Sequence, residues 1–335
     1  YKVAVRKAGF ISANKSFQTG SDTPTLVFKL RADLDDQVKQ FDALVVSGKL
    51  IGPGTPNAFD FVRELASKYP DRPEVAHAGS VLVQKLTQSA QTVANETEQW
   101  RAVKRKRMEQ GHEAAAAAAS LASDNKDAVR LESYLSASVA LRDWETGTPE
   151  TADDKLLGTA SMGFDKTTSL DPKWGFAWYQ LGRCRLLSND WDGARAAFSK
   201  SLEINGGLID AHLGIAAAYY GQGDYKDSIV EYQKIISFDH NNYTAYAGMG
   251  IARAASGKTK DGLKDAERAS QLKPESGIPH LSLGIIYSKS KKRKERDTAV
   301  AELNTAIEKN SAGLEFPNRT ARALISELEG DKATK

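Results

Sequence analysis

From Leu34 onward the chain alternates apolar stripes at helical spacing with short polar breaks. Leu34, Val38, Phe41 and Leu44-Val45 form one stripe, and Phe59, Val62, Leu65 and Ala66 form a second. Gly48 and Gly52-Pro53-Gly54 part them, and Tyr69-Pro70 ends the pair. Apolar residues three or four apart share one helix face, and Gly and Pro punctuate such faces, so residues 33–72 are expected to form a helical hairpin. No proline interrupts Glu74 to Ala122, where helix formers dominate. Residues 73–126 therefore predict one long helix or two helices, with Gly79 and Gly111 as the weak points. Leu131, Leu135 and Val139 begin another stripe, Thr146-Gly147-Thr148-Pro149 breaks it, and Leu156 to Leu170 resumes it before Asp171-Pro172. That pattern predicts a further hairpin over 127–174.

Downstream the stripes recur at a fixed interval. Trp178-Tyr179-Gln180-Leu181-Gly182 aligns without a gap with the segments 34 and 68 residues later. The turn pair Asn189-Asp190 before Trp191 becomes Gly223-Asp224 before Tyr225, then Gly257-Lys258 before Thr259. Phe198, Tyr232 and Ala266 align in the second stripe, as do Ser201, Ile235 and Ala269; the units close on Asn205-Gly206, Asp239-His240 and Lys273-Pro274. A period of this length marks a solenoid of units that cannot bury their apolar faces alone.

These positions resemble the tetratricopeptide repeat, which sets an aromatic, Leu-Gly and Tyr in a first helix, then Ala, an aromatic and Ala in a second, then Pro. Residues 175–208 supply Trp178, Leu181, Gly182, Ala194 and Phe198. Residues 209–242 supply Tyr219 and Tyr232 but carry Ala216 at the glycine position and Ser228 for alanine. Residues 243–276 supply Tyr246, Gly250, Ala269 and Pro274; residues 277–312 supply Leu283, Gly284 and Tyr287, then Ala299, Leu303 and Ala306 after an expanded loop. The resemblance implies a mainly α fold, an α-α superhelix of stacked helical hairpins. In it, 127–174 is a divergent repeat and 313–335 a capping helix and tail.

The first 32 residues differ in kind. Lys2 to Arg6 alternates, Gly9-Phe10 interrupts, Lys15 to Thr19 extends again, Gly20-Ser21-Asp22 turns, and Thr25 to Leu30 alternates once more. This predicts three short antiparallel strands, a small β segment at the N-terminus. The segment resembles the second half of a PEGA-type β-sandwich. That resemblance implies a bacterial, extracytoplasmic (periplasmic) setting, with membrane association through an anchor upstream; a cytoplasmic setting is the alternative. A first residue Tyr1 in place of methionine agrees with a piece of a longer product.

Charge and chemistry narrow the function. Lys and Arg number 46 against 43 Asp and Glu, and the net charge of +3 is too small a field to draw nucleic acid. Cys184 is the only cysteine, so neither an intrachain disulfide nor a cysteine cage for a metal can form. Apolar runs fall far short of the ~18 residues a membrane-spanning helix needs. His112-Glu113 opens like a zinc-protease motif, but Ala116 stands where the second histidine belongs. Gly257-Lys258-Thr259 imitates the end of a phosphate-binding loop, but Ala252 replaces the earlier glycine. His77, His112, His212, His240 and His280 are scattered; His212 and His280 share the fourth repeat position with Trp178 and Tyr246 and read as packing residues. No catalytic residue, cofactor or metal site is expected, and the chain is not read as an enzyme.

The tetratricopeptide resemblance also implies a concave groove on the first helix of each repeat. Carried over, its positions include Tyr179, Gln180 and Arg183, then Leu213, Ala217 and Tyr220, then Ala247 and Ile251, then Leu281 and Ile285. Members that clamp a C-terminal carboxylate place Lys, Asn and Arg there. Here only Gln180 and Arg183 are polar donors of any reach, so that ligand is not expected. Small and apolar walls favour an apolar helix or extended peptide. Two basic runs, Lys104-Arg105-Lys106-Arg107 on the 73–126 helix and Lys291-Lys292-Arg293-Lys294 in the expanded loop, read as solvated surface or as a docking patch for an acidic surface or anionic lipid. No aromatics interleave them, which argues against nucleic acid. The expected function is a non-catalytic protein–protein interaction scaffold, a subunit of a larger bacterial assembly. The alternative is a sensor or regulatory segment of a membrane-anchored protein such as a kinase.

Overall fold

A computed structural model describes residues 2–3, 15–16, 25–52, 56–99, 103–148, 151, 153–310 and 315–333. Fifteen α-helices follow one another among the described residues. They are α1 (Thr25–Val46), α2 (Ala58–Lys68), α3 (Pro73–Glu96), α4 (Arg105–Leu121), α5 (Lys126–Thr146), α6 (Asp154–Leu170), α7 (Gly175–Leu187) and α8 (Trp191–Ile204). Then come α9 (Ile209–Gln222), α10 (Tyr225–Phe238), α11 (Tyr243–Ala255), α12 (Thr259–Leu272), α13 (Gly277–Ser288), α14 (Arg293–Glu308) and α15 (Glu315–Ala333).

The helix ends follow from local chemistry. Asn57, Asn125, Asp153, Asp190, Asn242 and Ser276 each accept a backbone N–H two or three residues on, starting α2, α5, α6, α8, α11 and α13. Each such cap is worth about 1 kcal/mol. Three successive turns carry a left-handed residue: Asn189 at φ 61°, Gly223 at φ 91° and Gly257 at φ 90°. They lie one repeat apart (223 − 189 = 34 and 257 − 223 = 34), so the backbone itself keeps the period. Glycine and asparagine tolerate that conformation where other side chains crowd the carbonyl.

From α3 onward each odd-numbered helix packs on the even-numbered one after it, and each pair packs on the next. The joints between pairs match in size. Phe198 on α8 is 1% exposed, and a Cβ added at Gly214 on α9 would stand 2.5 Å from its ring. One repeat on, a Cβ at Gly248 would stand 2.3 Å from Tyr232. At the third joint Ala266 is small and clusters with Leu283 and Ile286, while Ser282 stands at the glycine position and donates to the Ala247 carbonyl at 2.8 Å. Ala216 and Ser228, the two departures from the repeat pattern, compensate one another, the Ser228 hydroxyl donating to the Ala216 carbonyl at 2.8 Å. Gly182 plays the close-approach part within its own hairpin, where a Cβ would stand 2.6 Å from Phe198.

A continuous core joins α1 to α8 through Phe41, Leu86, Tyr134, Phe164 and Leu181, and the later joints hold smaller clusters, such as Tyr232 with Met249. The last helix does more than cap. α15 packs on α13 and α14 through Ala321 and Leu328, and also reaches back to α5, where Arg319 donates to the carbonyls of Trp144, at 2.9 Å, and of Gly147. Its guanidinium lies 4.6 Å from the Trp144 ring centroid. The superhelix is thereby tied end to end from α5 to α15.

Two expectations change. Thr25–Leu30, expected as a strand, forms the opening of α1. Leu26 and Leu30 continue the four-residue spacing of Leu34 and Val38, and a six-residue alternation is weaker than a stripe that runs on for five turns. Lys2–Val3 and Lys15–Ser16 pair antiparallel over two residues; the rest of the first two expected strands lies outside the described residues. The PEGA resemblance thus loses its final strand. Second, residues 73–126 are two helices, and they part at neither glycine. α3 ends in a single 3-10 turn, Thr97–Gln99, and α4 begins at Arg105. Gly111 is instead a contact point, where a Cβ would meet Val93 at 2.7 Å, letting α4 fold back onto α3.

Candidate peptide-binding groove

The first helices of successive repeats, α7, α9, α11 and α13, line a groove of ≈ 880 Å³. Tyr179, Arg183, Leu213, Ala217, Ala247, Ile251 and Leu281 line it, with the rings of Phe198 and Tyr232 and the side chains of Thr244 and Ile278. The 3-10 turn after α3 closes one side with Glu98 and Gln99. That turn is pinned from below: the buried Thr97 hydroxyl bonds the Tyr134 hydroxyl, and Tyr134 is wholly enclosed. Burial pushes the Tyr134 phenol above its usual range, so it stays neutral and holds the bond.

Three of the expected groove residues stand elsewhere. Gln180 is fully buried beneath the surface, where its Oε1 accepts from Arg183 at 2.7 Å. Tyr220 is half-buried against Tyr225, ring centroids 5.6 Å apart, and Ile285 is half-buried on α13; neither lines the groove. Arg183 lines the groove but is not a free donor. Its other terminal nitrogen donates to Glu145 on α5, whose side chain is 5% exposed against 19% for Arg183. Burial works against the Arg183 charge, and Glu145 outweighs it, so the guanidinium is held charged inside the fold. Sequence reasoning missed this pair because the partners are 38 residues apart, outside the repeat's own register. The space at Gly214 and Gly248 in the groove wall is occupied by this chain's own Phe198 and Tyr232.

The remaining candidate chemistry is quiet. Cys184 is fully enclosed, and burial pushes its thiol up to about 12, against a smaller downward pull from Arg183; it is no nucleophile at neutral pH. His280 bonds Glu302 through Nδ1 at 2.7 Å and meets the Lys309 ammonium through Nε2 at 3.0 Å, a surface network beside α14. Among the described residues no group of three His, Cys, Asp or Glu could hold a metal ion. No helix among them is long and apolar enough to cross a membrane.

Both basic runs sit at helix starts. Lys104 precedes α4, and in its first turn Arg105 pairs with Asp143 and Glu109 while Arg107 holds Glu96 with two bonds, 2.8 and 2.9 Å. That leaves Lys104 and Lys106 exposed. The second run is not all loop: Lys291 and Lys292 precede α14, and Arg293 and Lys294 form its first turn, with Lys292 paired to Glu295 at 2.9 Å. A second concavity of ≈ 980 Å³, between α2, α3 and the α4–α5 turn, is lined by Gln84, Gln88, Gln91, Thr92 and Asn95. It lacks the aromatic floor of the α7–α13 groove, which is therefore the better candidate.

The tetratricopeptide repeat family profile matches residues 176–204, which span α7 and α8. No curated protein matches by sequence. A tetratricopeptide repeat protein from Parabacteroides merdae is similar in structure at 15% identity and a TM-score of 0.51, over 88% of this chain and 98% of that one. MamA from Desulfovibrio magneticus RS-1 is 19% identical over 52% of this chain and 93% of its own, with a TM-score of 0.37. YrrB, described as a tetratricopeptide protein with an unusual peptide-binding site, is 17% identical over 64% of this chain and 99% of its own, with a TM-score of 0.38. The chain carries a recognisable tetratricopeptide repeat at α7–α8 and takes, over most of its length, the fold of a tetratricopeptide-repeat protein.

Proposed function

We propose that this protein is a non-catalytic scaffold that captures a partner protein segment, a helix or extended peptide, in the α7–α13 groove. Stacked repeats present one continuous concave surface, and such surfaces are what solenoid proteins use to bind. The observation that carries the reading is the groove's lining: Leu213, Ala217, Ile251, Ile278 and Leu281, with the half-buried rings of Tyr179 and Tyr243. A hydrophobic segment laid there buries apolar surface on both sides, at roughly 25 cal/mol per Å². With Arg183 committed to Glu145 and Gln180 enclosed, the groove has no free clamp for a terminal carboxylate.

The test is partner capture from the native source by the wild type and by A217R/T244R. Both positions are half-buried on the groove wall and tolerate a longer side chain without opening the core. Ala247 is unsuitable, being 2% exposed. Partners held by the wild type should be lost from the variant while its circular dichroism and melting stay unchanged. Equal recovery from both would refute the groove.

A further inference from the structure

The groove carries an unbalanced charge as well as an apolar wall. Three of its lining residues bear full charges: Glu98, Arg183 and Asp210. Arg183 is committed inward to Glu145, which also faces the buried guanidinium of Arg142, so the outward-facing charges of the lining are the two carboxylates. Glu98 and Asp210 are exposed, and among the described residues neither has an ion-pair partner. They come from different elements: Glu98 from the 3-10 turn pinned by Thr97 and Tyr134, Asp210 from the first turn of α9. The amino end of α9 offsets part of the Asp210 charge, since a helix start behaves as roughly half a positive charge. Glu98 and Asp210 are thus the exposed charges that the lining presents beside its apolar walls.

We infer that the groove's occupant is a basic amphipathic protein segment, whose aliphatic or aromatic side chains lie on Tyr179, Leu213 and Ile251 while a lysine or arginine reaches Glu98 or Asp210. An acidic segment would meet repulsion from these carboxylates, and among the described residues the one cation in the lining, Arg183, is paired to Glu145, so the groove selects by sign. This rests on the groove reading above and adds the chemistry of the partner to it.

The experiment selects binders from a displayed library of random peptides about 16 residues long, long enough to cross the groove as a helix at ~1.5 Å per residue. Selection runs on the whole chain in low salt, with counter-selection against A217R/T244R. Peptides that depend on the groove should combine apolar residues with lysine or arginine and carry net positive charge. Their affinity should fall roughly threefold to tenfold on E98Q/D210N, an effect that shrinks as salt rises, in line with exposed ion pairs. Groove-dependent peptides that are neutral or acidic, or that bind E98Q/D210N as well as the wild type, would overturn the inference and leave the groove reading standing. If no selected peptide distinguishes the wild type from A217R/T244R, the groove reading itself fails, and this inference with it. Neither E98Q nor D210N touches the core, so unchanged melting separates a charge effect from misfolding.

Discussion

Replacing Phe198 by alanine tests the size-matched joint on which the superhelix is built. The ring is 1% exposed, lies 5.9 Å from the Tyr179 ring and fills the space left by Gly182 and Gly214. A buried phenylalanine hides roughly 200 Å², or about 5 kcal/mol at 25 cal/mol per Å² as an upper bound. Phe198→Ala should therefore cost about 3–5 kcal/mol, including the cavity it leaves. Gly214→Ala supplies the sharper half of the test. In the wild type its methyl would stand 2.5 Å from the ring, and overpacking of this kind costs about 1–3 kcal/mol. With the ring removed, the same methyl enters empty space, and the better helix propensity of alanine then stabilises α9 by ~0.5–1 kcal/mol. Urea unfolding of the four proteins of this cycle, followed by circular dichroism and by the fluorescence of the chain's five tryptophans, measures both effects. The glycine substitution should reverse sign between the two backgrounds. If Gly214→Ala destabilises equally with and without Phe198, or Phe198→Ala costs less than about 1 kcal/mol, the joint does not hold the repeats as argued.

The tie between the ends and the one buried pair at a later repeat give two further outcomes. Arg319→Ala removes two bonds to the carbonyls of Trp144 and Gly147 and the stacking on the Trp144 ring, worth about 1–2 kcal/mol for a half-exposed cation. Amide exchange in α15 should quicken while α12 stays protected; unaltered exchange in α15 would deny the tie. Arg253 holds buried Asp265 at 2.7 and 2.9 Å, and burial raises the Asp265 carboxyl while Arg253 pulls it back. A carboxyl raised by folding favours the native state most when protonated, a contribution lost as pH rises through its folded pKa. Arg253→Met removes the counter-pull, so its penalty, about 1–3 kcal/mol at pH near 7.5, should shrink in melts near pH 4.5. A penalty that grew on acidification would contradict this.

The superhelix was legible because the repeat pattern is written in local rules. Turn residues at 189, 223 and 257, the aromatics at 198 and 232, and the small residues opposite them recur in one register, and each constrains only its neighbours. What could not be read is what crosses registers. The break at Thr97–Lys104 has no proline or glycine to announce it; it exists because Gly111 lets α4 fold onto Val93. The pair Arg183–Glu145 and the tie Arg319–Trp144 join residues 38 and 175 positions apart. Thr25–Leu30 failed for another reason: six alternating residues fit a strand or one turn of a longer amphipathic helix, and the stripe beyond them decides.

The same facts bear on what the groove is for. Glycine in a concave wall reads as an invitation to a ligand, yet the space at Gly214 and Gly248 is already filled by Phe198 and Tyr232, so that apparent emptiness is internal packing. Of the donors that looked available, Arg183 is committed to Glu145 and Gln180 is enclosed beneath the surface, its Oε1 accepting from Arg183. After these internal uses are subtracted, the lining left open is apolar side chains from α9, α11 and α13, the half-buried rings of Tyr179 and Tyr243, and the carboxylates of Glu98 and Asp210. On the proposed reading such a lining favours a segment that is apolar along one side and basic where it meets Glu98 or Asp210. Neutralising these two carboxylates should then change which peptides bind while leaving the fold as it is.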